Sequence, residues 1–379
     1  MARLGDIATY INGYPFKPSE WSDVGSPIIR IQDLTGNSYQ TNRYNGVYSS
    51  KYEINNGDVL ISWSASLGVY VWHGEKALLN QHIFKVVFDK TEISKKFFVY
   101  QVENILGKAA SEAHGATMKH LTKPVFDALP FYLPPMEEQK KIAAVLDKVS
   151  DLIAKRRRQL DKLDLLVKAR FVEMFGDPVI NNLKLATKAM TEVCTIIDGD
   201  RGKNYPKQEE FSDKGYCLFL NAKNVTATGF SFETCMYITQ EKDKLLRNGK
   251  LQRGDIVLTT RGTIGNLAFY DLNVPFENMR INSGMVILRL NKDIISEVFF
   301  IEQFKLQLQL IKEKIASGSA QPQLPISTMN KIRILIAPKE LQNRFADFVE
   351  QTEKTKTSIS HSLEKLETLK KSLMQEYFG

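Results

Sequence analysis

The sequence has few cysteines, no long apolar run and no recognisable secretion signal. Its three cysteines, Cys194, Cys217 and Cys235, show no Cys-x-x-Cys spacing and have no histidine at metal-ligand distance, which excludes a disulfide framework or a zinc site and predicts buried or idle thiols. No apolar run approaches the ~18 residues that a membrane span needs, and Met1–Asp6 lacks the apolar segment of a signal peptide. We therefore expect a cytoplasmic protein without a membrane partner.

The motifs of common DNA-directed enzymes are also missing. No Gly-x-x-x-x-Gly-Lys-Ser/Thr loop occurs, which argues against an ATP-driven motor. A methyltransferase needs a glycine-rich cofactor loop and an Asn/Asp-Pro-Pro-aromatic motif. We find no such loop, and Asn273-Val274-Pro275-Phe276 matches the second motif only in part, which chance explains better. The five histidines form no metal signature. The sequence thus predicts a protein with no catalytic residue, cofactor or metal of its own.

Length and charge describe a soluble protein with a basic surface. The 379 residues suit two domains, and 43% hydrophobic and 25% charged residues are typical of globular proteins. The net charge of +8 attracts phosphate backbones, but it also attracts acidic proteins and membranes. Because no segment is a polycation, a DNA ligand would have to be bound by shaped surfaces rather than by bulk charge.

An internal repeat determines the organisation of the chain. Residues 135–176 align without a gap to residues 338–379 at a shift of 203, and 12 of the 42 positions are identical. The preceding regions match more loosely, with Gly57–Ser62 over Gly254–Thr259 at a shift of 197. The changing shift indicates insertions in loops. The repeat predicts four segments, which are residues 1–135, 136–176, 177–338 and 339–379.

The second and fourth segments are predicted to be long helices over 137–175 and 340–378. Positions spaced alternately by four and three are mostly apolar, which is the pattern of a coiled coil. We expect the two helices to pair antiparallel and to form a rigid strut with one globular segment at each end. The predicted core positions are Ile142, Leu146, Val149, Ile153, Arg156, Leu160, Leu163, Val167, Arg170 and Met174, and Phe345, Val349, Thr352, Lys356, Ile359, Leu363, Leu366, Lys370, Leu373 and Tyr377.

The first and third segments have the pattern of mixed α/β domains. Short apolar and β-branched runs at 27–31, 58–63 and 255–259 predict strands, and glycines separate them. Helices are expected over 94–106 and 295–315. The predicted class is α+β, with two mixed α/β domains in a pseudo-twofold repeat, separated by two long antiparallel coiled-coil helices.

Several of these motifs resemble one known family. The best local match runs from Gly115-Ala116-Thr117 through Leu129–Pro135 into Glu137-Glu138-Gln139. The second copy keeps the glycine at Gly318, a proline and a glutamine, but it lacks the threonine and the double proline. In this order, twice along the chain, the motifs resemble the specificity subunit of type I restriction-modification systems, and the resemblance covers essentially the whole chain.

The resemblance implies a role in sequence-specific DNA binding. Residues 1–135 and 177–338 would be target-recognition domains, each recognising one half of a bipartite asymmetric site in double-stranded DNA. The helical segments would fix the gap between the half-sites and dock DNA methyltransferase (modification) subunits, which in turn bring restriction/translocase subunits. Methylation and cleavage would then belong to those partners. Half-site spacing follows from the geometry of the protein that spans it.

Candidate DNA contacts are polar or basic side chains in loops close to glycines. Arginine and lysine suit guanine, and asparagine and glutamine suit adenine, whereas hydroxyls and cations suit phosphates. Each residue taken singly could instead be solvated or packed, as for Trp63 in a core or Arg30 paired with Asp33. The predicted set is Tyr14, Lys17, Arg30, Trp63, Ser64, His114, Lys119, Arg201, Lys203, Asn221, Lys223, Thr260, Arg261, Arg280, Gln321 and Gln323.

Two other functions are compatible with the sequence. One is a stand-alone DNA-binding protein with the same two domains, and the other is a protein-only scaffold for acidic partners. An apolar face along the paired helices would favour dedicated protein partners over the stand-alone protein. Different loops on matched frameworks favour two different ligands over a uniform scaffold.

Overall fold

The computed structural model of the chain describes residues 2–38, 40–112, 121–316 and 323–379. It contains both helices and sheets, which confirms the predicted α+β class. The chain divides into two compact units. Unit 1 comprises Met1–Arg158 with Ser360–Gly379, and unit 2 comprises Gln159–Ile359.

Unit 1 contains ten strands and four short or medium helices among its described residues. One four-stranded sheet has the order β2-β9-β6-β7, a second four-stranded sheet has the order β4-β3-β8-β5, and β1 pairs with β10. The elements are β1 (Ala2–Arg3), α1 (Leu4–Ile7), β2 (Thr9–Asn12), β3 (Ser26–Ile29), α2 (Ile31–Leu34), β4 (Arg43–Tyr44), β5 (Glu53–Ile54), β6 (Val59–Ser62), β7 (Gly68–Val71), β8 (Ala77–Leu79), β9 (Ile83–Val87), α3 (Lys95–Glu112), α4 (Lys123–Asp127) and β10 (Pro130–Phe131).

Strand β6 explains why unit 1 has two layers of core. All four of its residues are buried, since both faces of the sheet are covered. Val59 and Ile61 face a core shared with α3 and the long helix that follows, whereas Leu60 faces a core shared with the second sheet. The continuous apolar run that predicted this strand is therefore the mark of a sheet buried on both sides.

Unit 2 repeats this arrangement with different loops. Its sheets have the orders β12-β20-β17-β18 and β16-β13-β19, and β11 pairs with β21 and β14 with β15. The elements are β11 (Ala186–Ala189), α6 (Met190–Val193), β12 (Cys194–Asp198), β13 (Cys217–Leu220), β14 (Val225–Thr226), β15 (Gly229–Phe230), β16 (Tyr237–Ile238), α7 (Gln240–Leu245), β17 (Ile256–Thr259), β18 (Leu267–Phe269), β19 (Met279–Ile281), β20 (Met285–Leu290), α8 (Glu297–Ala316), α9 (Ile326–Met329) and β21 (Arg333–Ile336).

The two long helices, α5 (Met136–Phe175) and α10 (Lys339–Phe378), have nearly the predicted bounds. All twenty predicted core positions are buried or half-buried. In unit 1, Arg157 pairs with Glu367 at 2.6 Å and Leu146 shares a core with Met374. In unit 2, Asp164 pairs with Lys356 at 2.7 Å. As residue numbers rise in α5 they fall in α10, so the helices are antiparallel within unit 1.

A buried glutamine at the start of each long helix explains the Glu-Gln motif of the repeat. In unit 1, Gln139 accepts a hydrogen bond from the Ser94 backbone N–H at 3.0 Å and donates one to the Pro134 carbonyl. In unit 2, Gln342 accepts one from the Ser296 N–H at 2.8 Å and donates to carbonyls that include Ala337. Each glutamine thus joins the first turn of a long helix to the segment that opens α3 or α8.

Two local predictions need correction. The strand predicted over 27–31 ends at Ile29, because Asp33 accepts a hydrogen bond from the Arg30 backbone N–H at 2.8 Å and caps the short helix α2. The helix predicted over 94–106 continues to Glu112. None of the helices in the described ranges is long and apolar enough to cross a membrane.

The cysteines of unit 2 lie inside the fold. Cys194 and Cys217 are buried and Cys235 is half-buried, which agrees with the prediction of buried thiols. Burial raises the pKa of both Cys194 and Cys217 to about 12, so these thiols are protonated at neutral pH. Over the described ranges, no group of three or more His, Cys, Asp or Glu residues could hold a metal ion.

Candidate nucleic-acid interface

The predicted loops of unit 1 meet at one edge of the sheet β2-β9-β6-β7. Strand β2 ends where β9 begins, with Asn12 opposite Phe84, and β6 ends there as well, with Ser62 opposite Ile83. Consequently, residues 12–17, 63–67 and 80–82 lie together at this edge, and we call these three segments edge 1. Antiparallel pairing alone produces this convergence, because the end of each outer strand lies beside the start of the central one.

The corresponding edge of unit 2 is built in the same way. Strand β12 ends opposite the start of β20, with Asp198 facing Val286, and β17 ends with Thr259 facing Met285. Residues 198–203, 260–265 and 282–284 therefore lie together, and we call them edge 2. The sequence repeat thus extends to the location of the loops.

Trp63 is the largest side chain of edge 1. Its indole lies nearly parallel to the Phe84 ring at 5.7 Å and meets the His82 ring edge-on at 4.9 Å. The indole N–H donates to the Asn12 side-chain oxygen at 3.3 Å. Because Trp63 is only half-buried, it packs against the sheet and also belongs to the rim of edge 1. By the rim of an edge we mean those of its side chains that are not fully buried.

Edge 1 also contains strained backbone. Ala65 and His82, which are not glycines, have φ values of 59° and 73°. Such conformations cost about 1–3 kcal/mol each and concentrate at functional sites. Gly13 is required for a different reason, because a Cβ there would lie 2.0 Å from the carbonyl oxygen of Asn80. The loop after β2 is therefore pressed directly against the turn before β9.

In edge 2, the turn 282–284 joins the other loops. Gly199 approaches Asn282 so closely that a Cβ would lie 2.2 Å from its carbonyl oxygen. The Thr260 N–H and side-chain hydroxyl both donate to the Gly284 carbonyl, at 2.8 and 3.1 Å. Arg201 donates to the Ser283 carbonyl at 3.1 Å. These contacts fix the relative positions of three loops that are distant in sequence.

A shared hydrogen-bond framework supports both edges. The Ser62 hydroxyl donates to the Ser66 carbonyl, and the Thr259 hydroxyl donates to the Thr263 carbonyl. The Trp63 carbonyl accepts from the Leu121 N–H at 3.0 Å, as the Thr260 carbonyl accepts from the Leu324 N–H at 2.9 Å. The turns after β6 and β17 are thus closed in the same way although their side chains differ.

The repeated Gly-Asp motif belongs to this framework and not to a chemical site. Asp58 accepts from the Asn55 N–H at 2.8 Å and pairs with Lys85 at 3.3 Å on the central strand. Asp255 accepts from the Gln252 N–H at 2.7 Å and pairs with Arg289. Both carboxylates close the turn that leads into a buried strand and neutralise a cation on β9 or β20.

The structure brings eight of the sixteen predicted residues into the two edges and places five others elsewhere among the described residues. Edge 1 contains Tyr14, Lys17, Trp63 and Ser64, although the Ser64 side chain is buried. Edge 2 contains Arg201, Lys203, Thr260 and Arg261, of which Thr260 is buried and the other three are exposed. Gln323 is exposed and its backbone pairs with that of Arg261. Three predicted residues, His114, Lys119 and Gln321, lie outside the described residues.

Arg30, Asn221 and Lys223 follow strands that end beside the edges. Strands β3 and β8 are parallel with Ile29 opposite Leu79, so Arg30 follows next to the turn 80–82. Its side chain donates to the Gln40 carbonyl at 3.2 Å and lies over the Trp21 ring. Strands β13 and β19 are parallel with Leu220 opposite Ile281, so Asn221 and Lys223 follow next to the turn 282–284.

Arg280 is a correction to the predicted set. Its side chain is 6% exposed, and it donates to the Asp243 carboxylate and to the carbonyls of Asn248 and Leu246. Lys250 also pairs with Asp243. Because Arg280 lies inside strand β19 with its donors used internally, it holds α7 against the sheet and we remove it from the candidate contacts.

Several rim residues were missed by the sequence analysis. Asn12 and His82 belong to edge 1, and Asn282 and Ser283 belong to edge 2. The signal was an Asn-containing turn between two apolar runs, repeated in both halves at Asn80 and Asn282. The loops of both edges are thus centred on a turn that composition alone did not single out.

Edge 2 is held by a buried carboxylate. Burial by itself would raise the pKa of Asp200, but hydrogen bonds from the backbone N–H groups of Gly202, Arg247 and Asn248 outweigh it and hold the pKa below its ordinary value. Asp200 is therefore ionised at neutral pH. It fixes the loop that carries Arg201 and Lys203.

Comparison with known proteins places most of the chain in one family. A family model described as the type I restriction modification DNA specificity domain matches residues 1–164 and 182–369. The chain belongs to this family. The resemblance found in the sequence is therefore confirmed, and the two matched ranges follow the internal repeat.

Relatives in the family match most or all of the chain at low identity. The specificity subunit of the type I restriction enzyme EcoBI of Escherichia coli is 23% identical over 314 residues, which cover 76% of this chain and 65% of the relative. The specificity subunit of the enzyme MjaVIII of Methanocaldococcus jannaschii is 23% identical over 407 residues, or 99% of this chain and 90% of the relative. The chain thus spans just under two thirds of the first relative and most of the second.

Solved structures agree on the fold. The S subunit of the type I restriction-modification system from M. genitalium has a TM-score of 0.50 and 15% identity, covering 100% of this chain and 95% of that one. A chain from a structural study of complex assembly and conformational transition in the type I R-M system has a TM-score of 0.56 and 15% identity, covering 100% and 96%. At this identity, the comparison establishes the fold.

Proposed function

We propose that the chain is the DNA sequence-recognition subunit of a type I restriction-modification complex. Residues 1–135 and 177–338 act as target-recognition domains, and each binds one half of a bipartite asymmetric site in double-stranded DNA. The observation that carries the proposal is the repeated edge. Two loop clusters share one backbone framework but present different side chains, as two binding surfaces for two different DNA sequences would.

The long helices set the spacing of the half-sites and dock the partner subunits. Each helix has 40 residues, or about 60 Å of helical rise. Apolar side chains such as Leu152, Leu165 and Leu369 remain exposed along them, which suits partner proteins more than a solvated surface. Methyltransferase subunits bound there, and the restriction/translocase subunits that follow, carry methylation and cleavage, while this chain acts without catalytic residues of its own.

The main test is selection from a random-sequence library of DNA duplexes. The full-length chain is assayed with and without its partner methyltransferase at physiological salt, because phosphate contacts depend strongly on salt. We expect enrichment of two short elements at one fixed spacing. Sequence-indifferent binding or none in both conditions would contradict the proposal and favour a protein-only scaffold. Two elements selected equally well without the partner would favour a stand-alone DNA-binding protein.

The role of the helices has its own test. Seven helical residues are inserted into both α5 and α10, next to Gln159 and next to His361, which adds two turns and about 10 Å. At roughly 3.4 Å per base pair, the selected spacing should grow by about three base pairs while both elements stay the same. An unchanged spacing in a folded variant would show that the helices do not determine it.

A further inference from the structure

Two arginines of unit 2 flank the same turn. Arg201 approaches the turn 282–284 from the loop after β12, with one guanidinium nitrogen 3.1 Å from the Ser283 carbonyl oxygen. Arg261 approaches it from the loop after β17, with its backbone N–H donating to the Gly284 carbonyl at 3.2 Å. The Arg261 Cβ would lie only 3.8 Å from a Cβ built on Gly284. The two side chains therefore start from opposite sides of one turn in the rim of edge 2.

Arg201 is oriented before any ligand binds. The same nitrogen, Nη2, also contacts the Asp198 carboxylate at 3.1 Å. Its loop is anchored by Asp200, which accepts hydrogen bonds from the backbone N–H groups of Gly202 and Arg247 at 2.7 Å each. The Arg201 side chain remains 47% exposed. A guanidinium held through one nitrogen keeps its other N–H donors for a ligand and loses little entropy on binding.

Arg261 differs from three other arginines of unit 2. The guanidinium groups of Arg253, Arg280 and Arg289 all donate hydrogen bonds to carbonyls or carboxylates of unit 2. Arg261 is exposed, and among the described residues its guanidinium has no hydrogen-bond or ion-pair partner. Its backbone is nevertheless fixed by Gly284 and by pairing with Gln323. A fixed backbone with unused planar donors is suited to a ligand with paired acceptors.

We propose that Arg201 and Arg261 recognise guanine in the half-site bound by unit 2. The inference rests on the proposed function and adds the chemical identity of one base. In the major groove, guanine presents O6 and N7 side by side, and the arginine fork matches these two acceptors. A well-placed contact of this kind discriminates against other bases by about five- to 150-fold. Phosphate oxygens are the competing ligand for the same donors.

Edge 1 supplies the internal contrast. Its segments carry Asn12, Lys17, Trp63, Ser64 and the turn from Asn80 to His82, and none of these is an arginine. The guanine preference should therefore appear in one element of the selected site and depend on unit 2 alone.

The experiment repeats the duplex selection with variants of edge 2. The full-length chain with its partner methyltransferase is compared as wild type, Arg201→Ala, Arg261→Ala and Arg261→Lys. Arg261→Lys keeps the charge but removes the fork. Lys331→Ala is the matched control, because it removes one exposed cation of unit 2 between α9 and β21, away from edge 2. Thermal unfolding is recorded for every variant to verify that the fold is retained.

We expect a G·C pair in one wild-type element. Arg261→Ala and Arg261→Lys should each lower the preference for guanine at one position by about five- to 150-fold, Arg201→Ala should do so at the same or a neighbouring position, and Lys331→Ala should change neither element. The second element should persist throughout.

Three results would overturn the inference. If the arginine variants weaken binding equally for all sequences and reduce the salt dependence by about one phosphate, the arginines contact the backbone instead. If the element that responds to them contains only A·T pairs, or if no element responds, the guanine assignment fails while the proposed function stands. If the wild type selects no element at all, the proposed function itself fails and the inference with it.

Discussion

Edges 1 and 2 have the same backbone and different rims. In both, a hydroxyl at the end of a strand closes the following turn, and a carbonyl one residue later binds the segment that leads to the next short helix. The rim of edge 1 is aromatic around Trp63 and His82 and has one lysine, Lys17, whereas that of edge 2 carries Arg201, Lys203 and Arg261. The framework residues fix where the loops lie, and the residues between them are free to differ.

This difference separates two kinds of polar residue. Those with internal partners, such as Arg280 or Gln342, are needed for the fold. Those with solvent-exposed donors on a fixed backbone, such as Arg261, are the ones that we propose bind the ligand. Arginine alone does not distinguish the classes, since Arg261 and Arg280 lie in the same unit and both belonged to the predicted set.

The largest expected effect compares these two arginines. Arg280→Ala should lower the free energy of unfolding of unit 2 by about 3–5 kcal/mol, because Asp243 would keep a buried charge with one partner fewer. Arg261→Ala should change it by no more than about 0.5 kcal/mol, as exposed substitutions usually do. Urea unfolding with hydrogen exchange measured separately in each unit tests this. Similar losses in the two variants would contradict the distinction between framework and rim.

The next effect tests whether the framework is equivalent in the two units. Gln139→Ala and Gln342→Ala each leave a half-buried backbone N–H, of Ser94 or Ser296, without its acceptor. Each substitution should cost about 1–3 kcal/mol in its own unit. Hydrogen exchange at the start of α3 and α8 measures the result, with an exposed helical glutamine of each unit, Gln375 or Gln351, changed to alanine as the control. A loss in only one unit would break the comparison.

A smaller effect concerns pH and distinguishes unit 2. Asp200 and Asp243 are buried, which would raise their pKa, but hydrogen bonds and cations hold the pKa of both below the ordinary value of 3.8. Their stabilising contribution is therefore complete above that value and is lost as the pH falls through the lower folded pKa. The urea midpoint of unit 2 should fall on acidification, and less so in Asp200→Asn. The exposed Asp213→Asn serves as control, and an identical acid response in Asp200→Asn and wild type would refute this assignment.

The smallest effect concerns the ion pairs of the long helices. Arg157–Glu367 in unit 1 is exposed on both sides, whereas Lys356 in unit 2 is 24% exposed beside Asp164 and Glu353. Glu367→Gln should cost less than about 1 kcal/mol and should become neutral in high salt. Thermal unfolding at low and high salt measures it. A larger loss at low salt that high salt abolishes would mean that the helices depend on charge more than on their apolar contacts.

The sequence predicted the elements better than the contacts between them. The bounds of α5 and α10 and the strands β6 and β17 follow from local periodicity, and a repeat within the chain reinforces both. The burial of Arg280 could not be predicted, because its partner Asp243 is 37 residues away in a helix. The importance of the turns 80–82 and 282–284 could not be predicted either, because it depends on strand pairing between distant residues. Asn12 and Phe84, for example, are paired although they lie 72 residues apart in the chain.

The central claim is that each unit contacts its own DNA element through its edge. Ser66 and Thr263 are exposed and occupy equivalent positions in edges 1 and 2, where the framework uses their backbone groups. A photo-cross-linking amino acid placed at either position of the full-length chain, in complex with its methyltransferase and the selected duplex, reports which bases lie nearby. The probe at 66 should mark one element and the probe at 263 the other. Cross-links from both probes to the same element, or to bases outside both, would contradict the account.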